Sequence, residues 1–181
     1  TLLFSATMPA KVRTLADSIL RDPETVAVDP SKPAEGLIHC AFSISQNRKA
    51  ALLGKVLSYD RLESVIVFVK RKSEADSLAR KVRRLSNREA ASIHSGRTQK
   101  ERMQALEDFR TGQCPILVAT DVAARGIDVS KVTHVIHFDV PRSSEDYIHR
   151  SGRTGRAGRS GEVITFVAPD EERDLASIEK A

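Results

Sequence analysis

Short apolar runs alternate with helical stripes along most of the chain. Residues 2–4 (LLF) read as a buried strand, and Val12, Leu15, Ala16, Ile19 and Leu20 share one stripe of a helix over 10–21. Residues 25–28 (TVAV) read as another short strand. Two prolines and a glycine in 29–36 (DPSKPAEG) mark a linker. Beyond it Ile38, Cys40, Phe42 and Ile44 alternate, which predicts a half-buried strand, with a helix at about 46–58. The run SVIVFV (64–69) is apolar and β-branched nearly throughout, as suits a strand covered on both faces. Ser73 is placed to cap a helix carrying Leu78, Ala79, Val82 and Leu85. A strand follows at 90–94, then a capping-box pattern, Thr98 with Glu101, ahead of Met103, Leu106 and Phe109. Strands at 115–120, 133–138 and 162–167 and a helix from near Asp170 complete the pattern.

Strand alternating with helix across short links predicts an α/β fold, a mostly parallel sheet with helices on both faces. The linker divides a strand–helix–strand remnant, 1–28, from a complete α/β domain over 37–181. Sheets of this kind bind ligands at the carboxyl ends of their strands. The polar, glycine-bearing segments fall there: KRKS, HSGRTQ, TDVAARGID and DVPRSS.

Composition narrows the class. The 181 residues fit one domain with a piece of another, and 40% hydrophobic with 29% charged residues is ordinary for a soluble globular protein. Aromatics are 4% with no Trp, so stacking on rings does not dominate recognition. The net charge of +5 points weakly toward a polyanion. Two cysteines, Cys40 and Cys114, exclude a disulfide framework and suit a reducing, cytoplasmic compartment. No apolar run reaches membrane-spanning length and no signal-peptide pattern is present. The chain opens without Met inside an apolar run and reads as a piece of something longer.

HRSGRTGRAGR (149–159) places Arg150, Arg153, Arg156 and Arg159 three apart, among glycines that stop a regular helix at about 152. Arginine forks match phosphate oxygens. A solvated basic loop is the bland alternative, and the fixed spacing favours phosphate. In ATDVAARGID (119–128), Thr120 and the amides after it suit a phosphate, Asp121 suits a cap, and Asp128 suits ribose hydroxyls or an ordinary turn. Arg125 alone is a surface charge. Gln99 and Arg102, three apart at a helix start, reach the same side, as they would on a merely solvated helix end. Ser5-Ala6-Thr7 alone is a turn with a hydroxyl cap. There is no G-x-x-x-x-G-K-[ST] phosphate loop and no zinc spacing, and His134 and His137 fall on opposite faces of a strand.

Together these segments resemble the C-terminal RecA-like half of DEAD-box ATP-dependent RNA helicases. Ser5-Ala6-Thr7 is similar to motif III, VIVFVK to motif IV, Gln99-x-x-Arg102 to the QxxR motif, 119–128 to motif V and 149–156 to motif VI, in order over essentially the whole chain. The last also favours this family over DNA-unwinding relatives.

The resemblance implies two RecA-like domains that close over ATP and bind RNA. The phosphate loop, the glutamine specificity motif and the DEAD sequence that holds Mg2+ belong to the N-terminal RecA-like domain, so this chain alone is expected to have little ATPase activity. By position, Arg153 and Arg156 would contact the γ-phosphate, with Arg156 as arginine finger, and Asp128 the ribose. His149, Ser5 and Thr7 would bridge to the first domain's motifs, and Arg125 would work at the interdomain face. Thr120, Gln99, Arg102 and Gly96 would hold RNA phosphates and sugars, while Arg150 and Arg159 are ligands or structural. Arg71, in FVKRKS, stands where many members have Thr; it adds a phosphate contact or replaces a hydroxyl one, and such variants resemble bacterial ribosome-assembly members. A non-catalytic RNA-binding scaffold and a DNA helicase of the same superfamily are the alternatives. An orphaned strand edge in 1–28 is a candidate for pairing two copies.

Overall fold

The computed structural model describes all residues except 6, 7, 9, 27–35, 60, 61, 125–130, 156–159 and 181. The chain divides into two units, Thr1–Pro33 and Ala34–Ala181. In the first, α1 spans Ala10–Ile19, close to the helix expected. Residues 2–4 form no strand, and Leu2 and Phe4 are 83% and 88% exposed. A strand exists only through its ladder, and no described residue of this unit supplies one. The edge expected to pair copies is thus absent among the described residues. Thr25 and Val26 are not in a strand either; the rest of that expectation, and nearly all of the linker, lies outside the described residues.

The second unit is a parallel sheet between helical layers. In chain order it runs β1 (Leu37–Ser43), a 3-10 turn (Gln46–Arg48), α2 (Lys49–Leu57), β2 (Val65–Phe68), α3 (Lys72–Ser86), β3 (Ala90–Ile93), α4 (Gln99–Thr111) and β4 (Ile116–Ala119). There follow α5 (Asp121–Ala124), β5 (His134–His137), α6 (Ser144–Ser151), β6 (Gly161–Val167), a second 3-10 turn (Pro169–Glu171) and α7 (Glu172–Glu179). The spatial order is β1-β6-β5-β2-β4-β3, every pair parallel. Central β2 aligns Val65 with Ile116 on one side and His134 on the other. Its alternating side chains feed two cores: Val65 and Val67 pack with Leu53, Leu78 and Val82, while Ile66 and Phe68 pack with Ala105, Phe109 and Val135.

Three local expectations change. β1 is an edge strand, so Ile38 and Phe42 stay 56% and 46% exposed where half-burial was expected. α3 begins one residue before Ser73, with extended Arg71 in the cap position and no side-chain cap bond, which puts the serine inside the first turn. Leu85 is 52% exposed, yet α2 crosses close above it: a Cβ on Gly54 would lie 2.5 Å from the Leu85 Cβ, so only glycine fits there. The Thr98–Glu101 capping box forms in both directions. No described helix is long and apolar enough to cross a membrane.

Candidate functional site

β2 lies between β4 and β5, so the chain leaves it toward one side for β3 and β4 and toward the other for β5 and β6. Such a reversal opens a crevice at the carboxyl ends of the strands. A shallow cleft, open to solvent, lies there, lined by Phe68, Asp121, Ala124, Asp146, His149, Arg150 and Arg153. Two helices bring its polar groups together. α5 starts directly after β4, with the Thr120 carbonyl accepting the Ala123 and Ala124 amides. α6 is capped by Ser143, whose hydroxyl accepts the Asp146 amide, and it carries acids in its first turn and His149 and Arg150 in its last, matching the helix dipole.

The arginine ladder divides by role. Arg150 is buried; it donates from Nε and Nη2 to the two Asp121 oxygens at 2.6 and 2.9 Å, and from Nη1 to the Asp139 carbonyl at 2.9 Å. Its guanidinium also lies 5.2 Å from the Phe68 ring centre. This arginine is structural: it ties α6 to the ends of β4 and β5. Asp121, expected as a cap, is its counter-ion. Arg153 is half-exposed on the cleft wall, its Nε donating to the His149 carbonyl at 3.1 Å. Thr154 pins the segment by donating to the Val132 carbonyl at 2.7 Å, and Gly161 leaves it room, since a Cβ there would come within 2.4 Å of the Thr154 hydroxyl. Arg156, Arg159, Asp128 and Arg125 lie outside the described residues.

A second group gathers at the ends of β3 and β4. The Thr120 amide donates to the Ile93 carbonyl, joining the two strand ends. Arg102 Nη1 donates to Gln99 Oε1 at 3.2 Å, so the pair does share one side of α4, and buried Arg102 Nε has no partner among the described residues. Gly96 donates its amide to His94 Nδ1 at 3.1 Å; the other ring nitrogen, Nε2, therefore carries the proton and faces Asp76 Oδ1 at 3.2 Å. Asp76 also accepts from Ser92 and, at 2.8 Å, from Arg97. Burial alone would raise the Asp76 carboxyl, but hydrogen bonds from Ser92, Arg97 and His94 and the Arg97 charge hold it far below the carboxylate range. The loop bearing Gly96 is thereby preformed. Arg71 is exposed beside Glu74 at 3.8 Å. Ser5 is exposed in the first unit, and Thr7 lies outside the described residues.

Sequence reading missed the support beneath the cleft. Lys49 is wholly buried; Nζ donates to the Phe138 carbonyl at 2.8 Å and to Glu171, with Asp139 Oδ1 at 4.0 Å. Glu171 in turn accepts the Val140 and Ala168 amides, and Asp139 the Lys70 amide. The network fixes the chain leaving β5 just before α6. His137, fully buried, meets the Phe68 and Tyr147 rings edge-on; burial, then the Arg150 charge, holds its imidazole well below the ordinary value, so it stays neutral. No group of acids, histidines and cysteines among the described residues is arranged to hold a metal.

Residues 48–158 match the helicase conserved C-terminal domain family. The DEAD-box ATP-dependent RNA helicase CshA of Bacillus subtilis is 43% identical over 99% of this chain and 36% of its own length, so the chain spans about a third of that relative. Among solved structures, S. cerevisiae Dbp5 bound to RNA and ADP BeF3 superposes with a TM-score of 0.87 at 31% identity, covering 98% of this chain and 47% of that one. E. coli DEAD-box protein SrmB, solved bound to regulator of ribonuclease activity A, gives 0.74 at 36% identity over 79% of this chain and 85% of that one. With its parallel sheet and the switch-point cleft walled by His149 and Arg153, the chain belongs to the helicase C-terminal domain family, as the RecA-like second half of a DEAD-box protein.

Proposed function

We propose that this chain is the C-terminal half of an ATP-dependent RNA helicase that couples ATP hydrolysis to local unwinding or remodelling of RNA. The observation that carries the reading is the cleft: Arg153 and His149 line it beside the start of α5, while Arg150 is held back by Asp121. Residues 1–28 are then the last elements of the first RecA-like domain, 29–36 the linker and 37–181 the second domain.

The residues present fit one side of a nucleoside triphosphate. Guanidiniums suit phosphate oxygens, and Asp121, already paired with Arg150, does not repel them. ATP supplies the phosphoryl group whose transfer builds charge on oxygen; Arg153 and Arg156 stabilise that charge in a site closed to water. Asp128 accepts from the ribose. No described carboxylate cluster fits Mg2+, which the other domain would hold. His149, Ser5 and Thr7 bridge to that domain's motifs, and Arg125 works at the interdomain face. Gly96, Gln99, Arg102, Thr120 and Arg71 contact RNA phosphates and sugars, which makes binding tolerant of sequence, while 2′-hydroxyls favour RNA over DNA. The relatives named ATP-dependent RNA helicases support this substrate choice. A cytoplasmic role in ribosome assembly, suggested by Arg71, belongs to the same proposal.

ATP hydrolysis by the full-length protein, measured with RNA, with DNA of the same sequence and with neither, tests the reading. RNA alone is expected to stimulate. Equal stimulation by DNA would make it a DNA helicase, and RNA binding without turnover would make it a scaffold.

A further inference from the structure

Between Lys70 and Ser86 there are seven basic and two acidic residues, an excess of five; the other 164 residues balance at 22 basic against 22 acidic. The entire net charge of the chain therefore sits on α3 and the two residues before it. Both acids are committed, Glu74 beside Arg71 and Asp76 to the Arg97 cluster. Ala75, Leu78, Ala79, Val82 and Ser86 turn inward, and Arg80, Lys81 and Arg84 stand exposed on the outer side. None of those three is in an ion pair among the described residues. Arg83 bends away to the Ala90 carbonyl. The helix dipole rewards cations in the last turn but penalises residues 70–72 at the N-terminus, so helix stability does not account for the pattern.

The stripe is continuous with the proposed RNA edge. Lys72 passes the Gly96 loop, its Cδ 4.0 Å from where a Cβ on Gly96 would be. From there α3 runs back over the sheet, placing Arg80 and Arg84 about 12 and 18 Å along its axis. The exposed face of α3 carries Ser, Arg, Lys and one Leu, with no ring. Unpaired bases bind where rings stack them. A charged face without rings suits a paired backbone, whose bases are turned inward.

We infer that the outer face of α3, through Arg80, Lys81 and Arg84, is a second RNA-binding surface that holds the phosphates of the duplex flanking the strand in the cleft. The inference rests on the RNA reading above. The test uses the full-length protein and two labelled RNAs, a short single strand and the same strand joined to one helical turn of duplex. Replacing Arg80, Lys81 and Arg84 by Gln is expected to weaken binding of the flanked RNA about tenfold or more and to reduce its salt slope by about 2–3, leaving the short strand unaffected. Arg80→Lys with Arg84→Lys is expected to restore affinity, since a phosphate contact needs the charge. Unchanged affinity and slope on the flanked RNA, or equal loss on the short strand, would overturn the inference. Arg102→Ala separates the two readings: it is expected to weaken both RNAs, and if it weakens neither, the RNA edge itself is wrong.

Discussion

Arg156→Ala in the full-length protein is expected to lower RNA-stimulated ATP turnover on the order of 10³-fold while nucleotide affinity changes only a few-fold, as steady-state rates and equilibrium titration would read. α6 ends at Ser151, and the chain turns through Gly152 to place Arg153 on the cleft wall. Thr154 then fastens the backbone to the Val132 carbonyl, and Gly155 takes a positive φ of 68° that favours glycine. In sequence, Arg156 is the next arginine after this turn. A guanidinium that meets the transferring oxygens only as charge develops lowers the barrier more than it tightens ground-state binding. Retention of near-normal turnover would remove the finger assignment.

Lys49→Met is expected to destabilise the domain by about 3–5 kcal/mol, lowering the urea midpoint, because the carboxylate of Glu171 remains buried without its cation. Lys49 is fully buried and Glu171 nearly so, leaving little room for water to compensate. Methionine keeps most of the stem volume, which isolates the charge from the packing. Adding Glu171→Gln is expected to recover part of the loss, since the amide can still accept the Ala168 or Val140 amide. A single variant as stable as the parent would mean that the network contributes nothing net.

Patterns carried by a residue's own neighbours were legible in the sequence. The apolar runs of β2 and β4 and the Thr98–Glu101 box are local, and they recur in the structure. Residues 2–4 look equally strand-like, but a strand needs a partner ladder, which apolar character alone does not supply. The arginine repeat leaves Arg150 as ligand or structural, and it does not reveal that this residue meets a carboxylate 29 positions away. Nothing near Lys49 in the sequence signals its burial, because Glu171 lies 122 positions along the chain. Which cations reach ligand and which are spent on structure is settled by long-range pairing, invisible to local spacing.

On the proposed function, the arginines after α6 neutralise charge on a nucleotide shared with the other RecA-like domain. A structure of the full-length protein closed on RNA and a non-hydrolysable ATP analogue measures this directly. The Arg153 and Arg156 guanidiniums are expected at about 3 Å from γ-phosphate oxygens. Both guanidiniums standing in solvent, with the triphosphate contacted by the first domain alone, would contradict it.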